Sequence, residues 1–169
     1  MIWPVSLLRR AFAGASVAWF GALPMASLAS SQPHPPAAVY LCSFLVHLTG
    51  SLLCHQRPER SFFLWGSQMP VCARCTGIYA GAAFAAVVWC ARRGGAACPP
   101  RADTLVGPHA ARGWLIVGVL PTIGSLLYEW TTGHAPANWI RATAGVPIGV
   151  AVAWIVCRLD LSPSGDEVN

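Results

Sequence analysis

CARCTGIYAGAAFAAVVWCA, residues 72–91, decides the fold of this chain. The stretch carries one charge, Arg74, and has about the length that a helix needs to cross the hydrocarbon core of a bilayer. No period-two alternation argues for a strand. Gly77, Gly81 and Ala85 recur every four residues, which makes a flat stripe on one side of a helix. Arg92-Arg93 and Gly94-Gly95 follow and stop it.

Composition carries the same message over the whole chain. Of 169 residues, 55% are hydrophobic and 10% charged, against about 25% charged in an average soluble domain. All eleven basic residues are arginine, and six acids leave a net charge of +5. A nucleic-acid binder gathers its charge in a patch. Here the arginines stand singly or in pairs between apolar runs, as charges flank membrane spans, so nucleic-acid binding is excluded as a reading.

Outward from 72–91, two further stretches have the character of spans: 112–130, with Trp114 and Trp130 near its ends, and 139–157, with Trp139 and Trp154. Aromatic residues at those places anchor a helix at the interface. Gly145, Gly149 and Ala153 repeat the spacing of four, and Gly77, Gly81, Gly145 and Gly149 are the expected packing positions. Residues 11–30 read as a retained span; a signal peptide is the competing reading, because Ala-Ser-Leu-Ala-Ser resembles a small-residue cleavage site. Residues 37–53 are helical in pattern but short. The expected fold is all-α, an integral membrane bundle of four or five spans. Its parts are an N-terminal apolar segment and linker at 1–36, a bundle at 37–157 with a Cys/His loop at 54–75, and a disordered tail at 158–169. Residues 54–71 and 92–111 read as loops, and no strand is expected.

With five spans, six arginines lie on the N-terminal side and five on the other. With four, because 37–53 lies in the interface or folds back, Arg9, Arg10, Arg92, Arg93, Arg101, Arg112 and Arg158 share one side, seven against four. The excess of positive charge inside then turns the Cys/His loop outward.

That loop holds the chemistry. Cys54-His55-Gln56 precedes Cys72-Ala73-Arg74-Cys75. Thiolates and a neutral imidazole are the ligand set for zinc or iron, and a C-x-x-C lets two sulfurs reach one ion from a helix start. Cys54, His55, Cys72 and Cys75 are the candidate ligands, with Gln56, Arg60 and Arg74 as supporting donors. The helix dipole and Arg74 equally favour a reactive thiolate at Cys72 or Cys75, so a membrane thiol–disulfide oxidoreductase is the alternative. A structural disulfide, or a non-catalytic partner subunit whose loop only shapes an interface, also accommodates these residues. Arg57, Glu59 and Arg60 are expected to pair among themselves, and Glu129 with Arg141. Catalytic residues, reaction and substrate are not legible.

The run from Cys54 to Gly81 resembles the signature of a family of small prokaryotic multispan membrane proteins of unknown function. The likeness lies in Cys-His-Gln, Arg-Ser-Phe, Pro-Val-Cys-x-Arg-Cys and Gly-Ile-Tyr-x-Gly, and more loosely in Asn138, Arg141 and the Gly145 to Gly149 region. The resemblance implies a multi-pass protein of the cell membrane with a Cys/His centre and implies no reaction. The family pattern has an aspartate shortly after the proline of the third span. Here Pro121 is followed by Thr122, Ile123 and Gly124, which leaves Glu129 as the acid to substitute for it.

Overall fold

The structure is a computed structural model and describes residues 5–91 and 108–158. It is all-α, with one small hairpin. Five helices are ordered α1 (Val5–Ser31), α2 (Ala37–Leu53), α3 (Ala73–Ala91), α4 (Pro108–Thr132) and α5 (Asn138–Arg158). Between α2 and α3 lie a turn of 3-10 helix, Pro58–Arg60, and strands β1 (Ser61–Leu64) and β2 (Ser67–Cys72). Four helices, over Leu7–Ser31, Ala73–Ala91, His109–Thr132 and Asn138–Cys157, are long and apolar enough to cross a membrane. At 17 residues α2 falls short of that length.

Three expectations change. The stretch 54–71 is not a plain loop: β1 and β2 form an antiparallel hairpin with Leu64 opposite Ser67, Phe63 opposite Gln68 and Ser61 opposite Cys72. Its two turn residues, Trp65 and Gly66, both have positive φ, 52° and 76°. That is the primed geometry a right-twisted two-residue hairpin needs, reached through a Trp-Gly pair in place of Asn-Gly. A bulge between Ser61 and Phe63 breaks the alternation that would have advertised the strands. Second, α4 begins at Pro108, four residues before the expected start, since proline suits a first turn. Third, α1 starts at Val5, six residues before 11. The expected loop at 92–111 and tail at 158–169 fall largely outside the described residues.

The seam of the bundle is α3 against α5. A Cβ on Gly77 would fall on the Ala142 carbonyl oxygen, and one on Gly81 on that of Val146. From the other side, Gly145 meets the Arg74 carbonyl and Gly149 that of Ile78. The paired numbers rise together, so α3 and α5 run parallel with their backbones in contact. Helix α4 returns antiparallel to α5: Gly118 faces Pro147, and the Thr122 hydroxyl donates to the Ala144 carbonyl at 2.8 Å. In water-free surroundings that bond satisfies a hydroxyl that lipid cannot.

Helix α1 runs antiparallel to α3. Trp19 meets Tyr79 edge to face at 5.9 Å, and farther along Ser27 donates to the Gln68 carbonyl at 3.4 Å. Leu23, Met69 and Val71 form a buried apolar cluster that fixes the hairpin onto α1. Helix α2 folds back along the end of α1, where Ser43 donates to the Ala26 carbonyl at 3.0 Å. Gly50 lets α2 approach the backbone of Pro70, which any side chain there would block. The end of α2, the hairpin, the start of α3, the end of α4 and the start of α5 thus gather at one end of the bundle.

Candidate metal centre

Each of the three thiols occupies a helix boundary. Cys54 caps the C-terminus of α2: its backbone is extended and its N–H donates to the Gly50 carbonyl at 2.9 Å. Cys72 closes β2 immediately before the first residue of α3, so its side chain takes the N-cap place. Cys75 lies three residues on, the N3 position that an N-cap side chain reaches. The C-x-x-C spacing therefore stacks two sulfurs over the first turn. The Cys72 N–H donates to Cys54 Sγ at 3.3 Å, joining the third sulfur to the pair. All three sulfurs lie within 4.8 Å of one another, and all three thiols are half-buried.

The Cys72 thiol is pulled down from its ordinary 9.0 to about 5. The Cys75 thiol is the main cause, donating its proton to the Cys72 sulfur; the Cys75 amide and the Cys54 thiol add to it, and burial opposes them. A single proton-poor sulfur surrounded by donors is how three close thiols manage without a cation. With a cation, all three can be thiolates.

His55 lies outside this group of sulfurs. It is exposed and lines the same cavity, a space of about 530 Å³ bordered also by Cys54, Gln56 and Arg57.

The supporting residues have specific partners. Gln56 adopts a left-handed backbone, φ 46°, which costs energy for a residue with a Cβ. Its side-chain amide holds that turn by donating to the His47 carbonyl at 2.8 Å and the Pro70 carbonyl at 2.6 Å. Gln68 donates to the Gln56 carbonyl at 2.6 Å, and Asn138 at the start of α5 donates to the Ser61 carbonyl at 2.9 Å. Arg74 donates to Ser125 Oγ at 3.0 Å, tying the C-x-x-C turn to α4. Arg60 does not pair within its own turn: it reaches Glu129, which also accepts from Arg141 at 3.0 Å. The buried Glu129 thus joins the 3-10 turn to α4 and α5, a connection that local sequence does not announce. Arg57 and Arg141 also line the cavity; the sequence named Arg141 as the partner of Glu129, as found here, and Arg57 as one of a local charge cluster.

A family model described as "Predicted membrane protein (DUF2085)" matches residues 54–155, from the first thiol of the centre to near the end of α5. An uncharacterized protein of Methanocaldococcus jannaschii is 45% identical over 51 residues, 30% of this chain and 31% of that protein. An uncharacterized protein of Methanothermobacter thermautotrophicus is 60% identical over 30 residues, 18% of this chain and 27% of that protein. The chain thus spans less than a third of the length of the curated relatives it matches. No solved structure matches.

Proposed function

This chain belongs to the DUF2085 family of membrane proteins, and we propose that it carries a metal ion, zinc or iron, on the sulfurs of Cys54, Cys72 and Cys75. The observation that carries this reading is the convergence of those sulfurs within 4.8 Å from the C-cap of α2, the N-cap of α3 and the first turn of α3. A tetrahedral zinc site has Zn–S near 2.3 Å, so its sulfurs stand about 3.8 Å apart. Small rotations of side chains already this close suffice. The fourth place goes to His55 after a side-chain turn toward the sulfurs, or stays with water; an exchangeable fourth place is what catalytic metal sites keep. Gln56, through the His47 and Pro70 carbonyls, holds the loop that presents Cys54.

Elemental analysis of purified protein is the test. About one equivalent of metal, lost in both Cys72→Ser and Cys54→Ser, is the expected result. His55→Ala retains the metal if water can fill its place and weakens it if imidazole is a ligand. Metal-free protein at full thiol titre sinks the proposal.

The second reading, a thiol–disulfide oxidoreductase, draws on the lowered Cys72 thiol beside Cys75. Four spans put the centre on the face opposite the start of α1 and the end of α5, and the arginine excess then turns it toward the non-cytoplasmic side, where disulfides persist. A Cys72–Cys75 disulfide that titrates reversibly in metal-free protein selects this reading. A reporter fused at residue 67 reads the face directly.

A further inference from the structure

We propose that the arginine side of the cavity binds a phosphate-class oxyanion. Four guanidinium groups, those of Arg57, Arg60, Arg74 and Arg141, border the same space of about 530 Å³, a volume in the range of small-molecule sites. Among the described residues their ion pairs go to one carboxylate, Glu129, whose Oε1 serves both Arg60 and Arg141. Even with the Cys72 thiolate of the metal-free chain counted beside Glu129, two negative charges against four leave the wall cationic.

Burial makes this more than a solvated cluster. The Arg141 side chain is 3% exposed, and its Nε and Nη1 have no hydrogen-bond partner. The Arg74 Nε is likewise buried without an acceptor. Donors of this kind are costly to leave unmet and are satisfied in nearly all folded proteins. Glu129 Oε2 is a buried acceptor that also lacks a partner; even if Arg141 turns onto it, donors are left over, and an oxyanion in the cavity supplies acceptors for them once the guanidinium groups rotate toward it. A carboxylate offers two oxygens in one plane, whereas a phosphate presents oxygens in several directions, which suits guanidinium groups arriving from the 3-10 turn, α3 and α5. Leu53, an exposed apolar residue at the end of α2, also lines the cavity, so the phosphate can belong to a lipid headgroup or arrive free in solution. Either way the anion lies beside the three thiols, in reach of whatever they hold.

The test uses full-length protein in nanodiscs. In phosphatidylcholine discs, inorganic phosphate is titrated against chloride at matched ionic strength while the melting temperature is followed. Discs containing phosphatidic acid form the second arm. Free phosphate as ligand gives a saturable rise that chloride does not reproduce. A lipid headgroup as ligand gives a higher melting temperature in the phosphatidic acid discs, with no further response to phosphate. Arg141→Gln should abolish either response, but it also strips Glu129 of a partner and can unfold the chain. Arg57→Gln is therefore the deciding variant: Arg57 is exposed and among the described residues makes no ion pair. It should raise the phosphate concentration needed by about ten- to a hundredfold. Wild-type protein that responds to neither anion, or an Arg57→Gln variant that responds as wild type does, overturns the proposal. It stands apart from the metal reading: a metal-free chain that responds to phosphate upholds it, and a metal-loaded chain that does not respond refutes it.

Discussion

The α3–α5 seam and the cap that holds the thiols lie within a few turns of each other and are built on opposite principles. The seam is made of missing atoms: at Gly77, Gly81, Gly145 and Gly149 a carbonyl of the facing helix occupies the place of a side chain. The cap is made of added ones. Gln56, Gln68, Ser61 and Asn138 each send a side chain to a backbone carbonyl. Where lipid offers no hydrophobic drive between helices, close backbone approach is what holds them together. At the cap, irregular backbone must be satisfied group by group, because water is scarce and no helix does it automatically. The rigid seam fixes where the C-x-x-C turn points, and the cap brings the distant Cys54 to it.

The largest effect is expected at the seam. Gly149→Leu or Gly77→Leu drives a side chain into facing backbone that has nowhere to move, a loss above about 4 kcal/mol. No monodisperse protein should be recovered from detergent by size-exclusion chromatography. Gly14→Leu and Gly124→Leu, where a Cβ meets nothing within 4 Å, should elute as wild type. Equal behaviour of the two sets would refute the backbone contact.

Next comes the ion pair that couples the two regions. Glu129→Gln leaves the buried Arg141 uncompensated, at a cost of about 3 kcal/mol, read as a lower melting temperature in detergent. A variant that melts within a degree of wild type would show that solvent reaches this corner. At the cap itself, Gln56→Leu removes the donors to the His47 and Pro70 carbonyls and should cost about 1 to 2 kcal/mol. It should also release the thiols: alkylation of Cys54 should accelerate in that variant and stay unchanged in one at the far end of α3, such as the exposed Val87→Ala.

The same contrast explains what could be read in advance. A spacing of four small residues is periodic, so the stripes on α3 and α5 stand out in the bare chain. The pairing of Glu129 with Arg60 joins positions with no spacing rule between them. Asn138 and Ser61 are 77 residues apart. The hairpin hid for a local reason: Trp65 takes a conformation usually left to Asn or Gly, and the bulge after Ser61 removes the alternation. For the thiols, chemistry and spacing named Cys54, Cys72 and Cys75 without placing them, and chemistry named His55 without saying that it stands outside the group of sulfurs.

The smallest effect sharpens the electrostatic side of the cap and requires metal-free protein. A thiol lowered from 9.0 to about 5 binds fewer protons in the folded chain than in the unfolded one between those values. Folding stability from this group is therefore fully present above pH 9 and declines as pH falls, until it is gone below about 5. Because Cys72 is only half-buried, solvent screening shrinks the change in melting temperature, and alkylation is the more sensitive reading. In denaturant, thiolate is scarce below the ordinary range, so the Cys72 rate with iodoacetamide should fall about a hundredfold from pH 8 to pH 6. In the folded, metal-free chain the rate should be nearly flat over that interval, and Cys75→Ala should restore part of the slope by removing the main donor. Parallel slopes for folded and denatured protein would mean that the sulfurs share no proton. The cap would then bring three thiols close without making them act together, and only the seam would remain as an ordering principle for this end of the molecule.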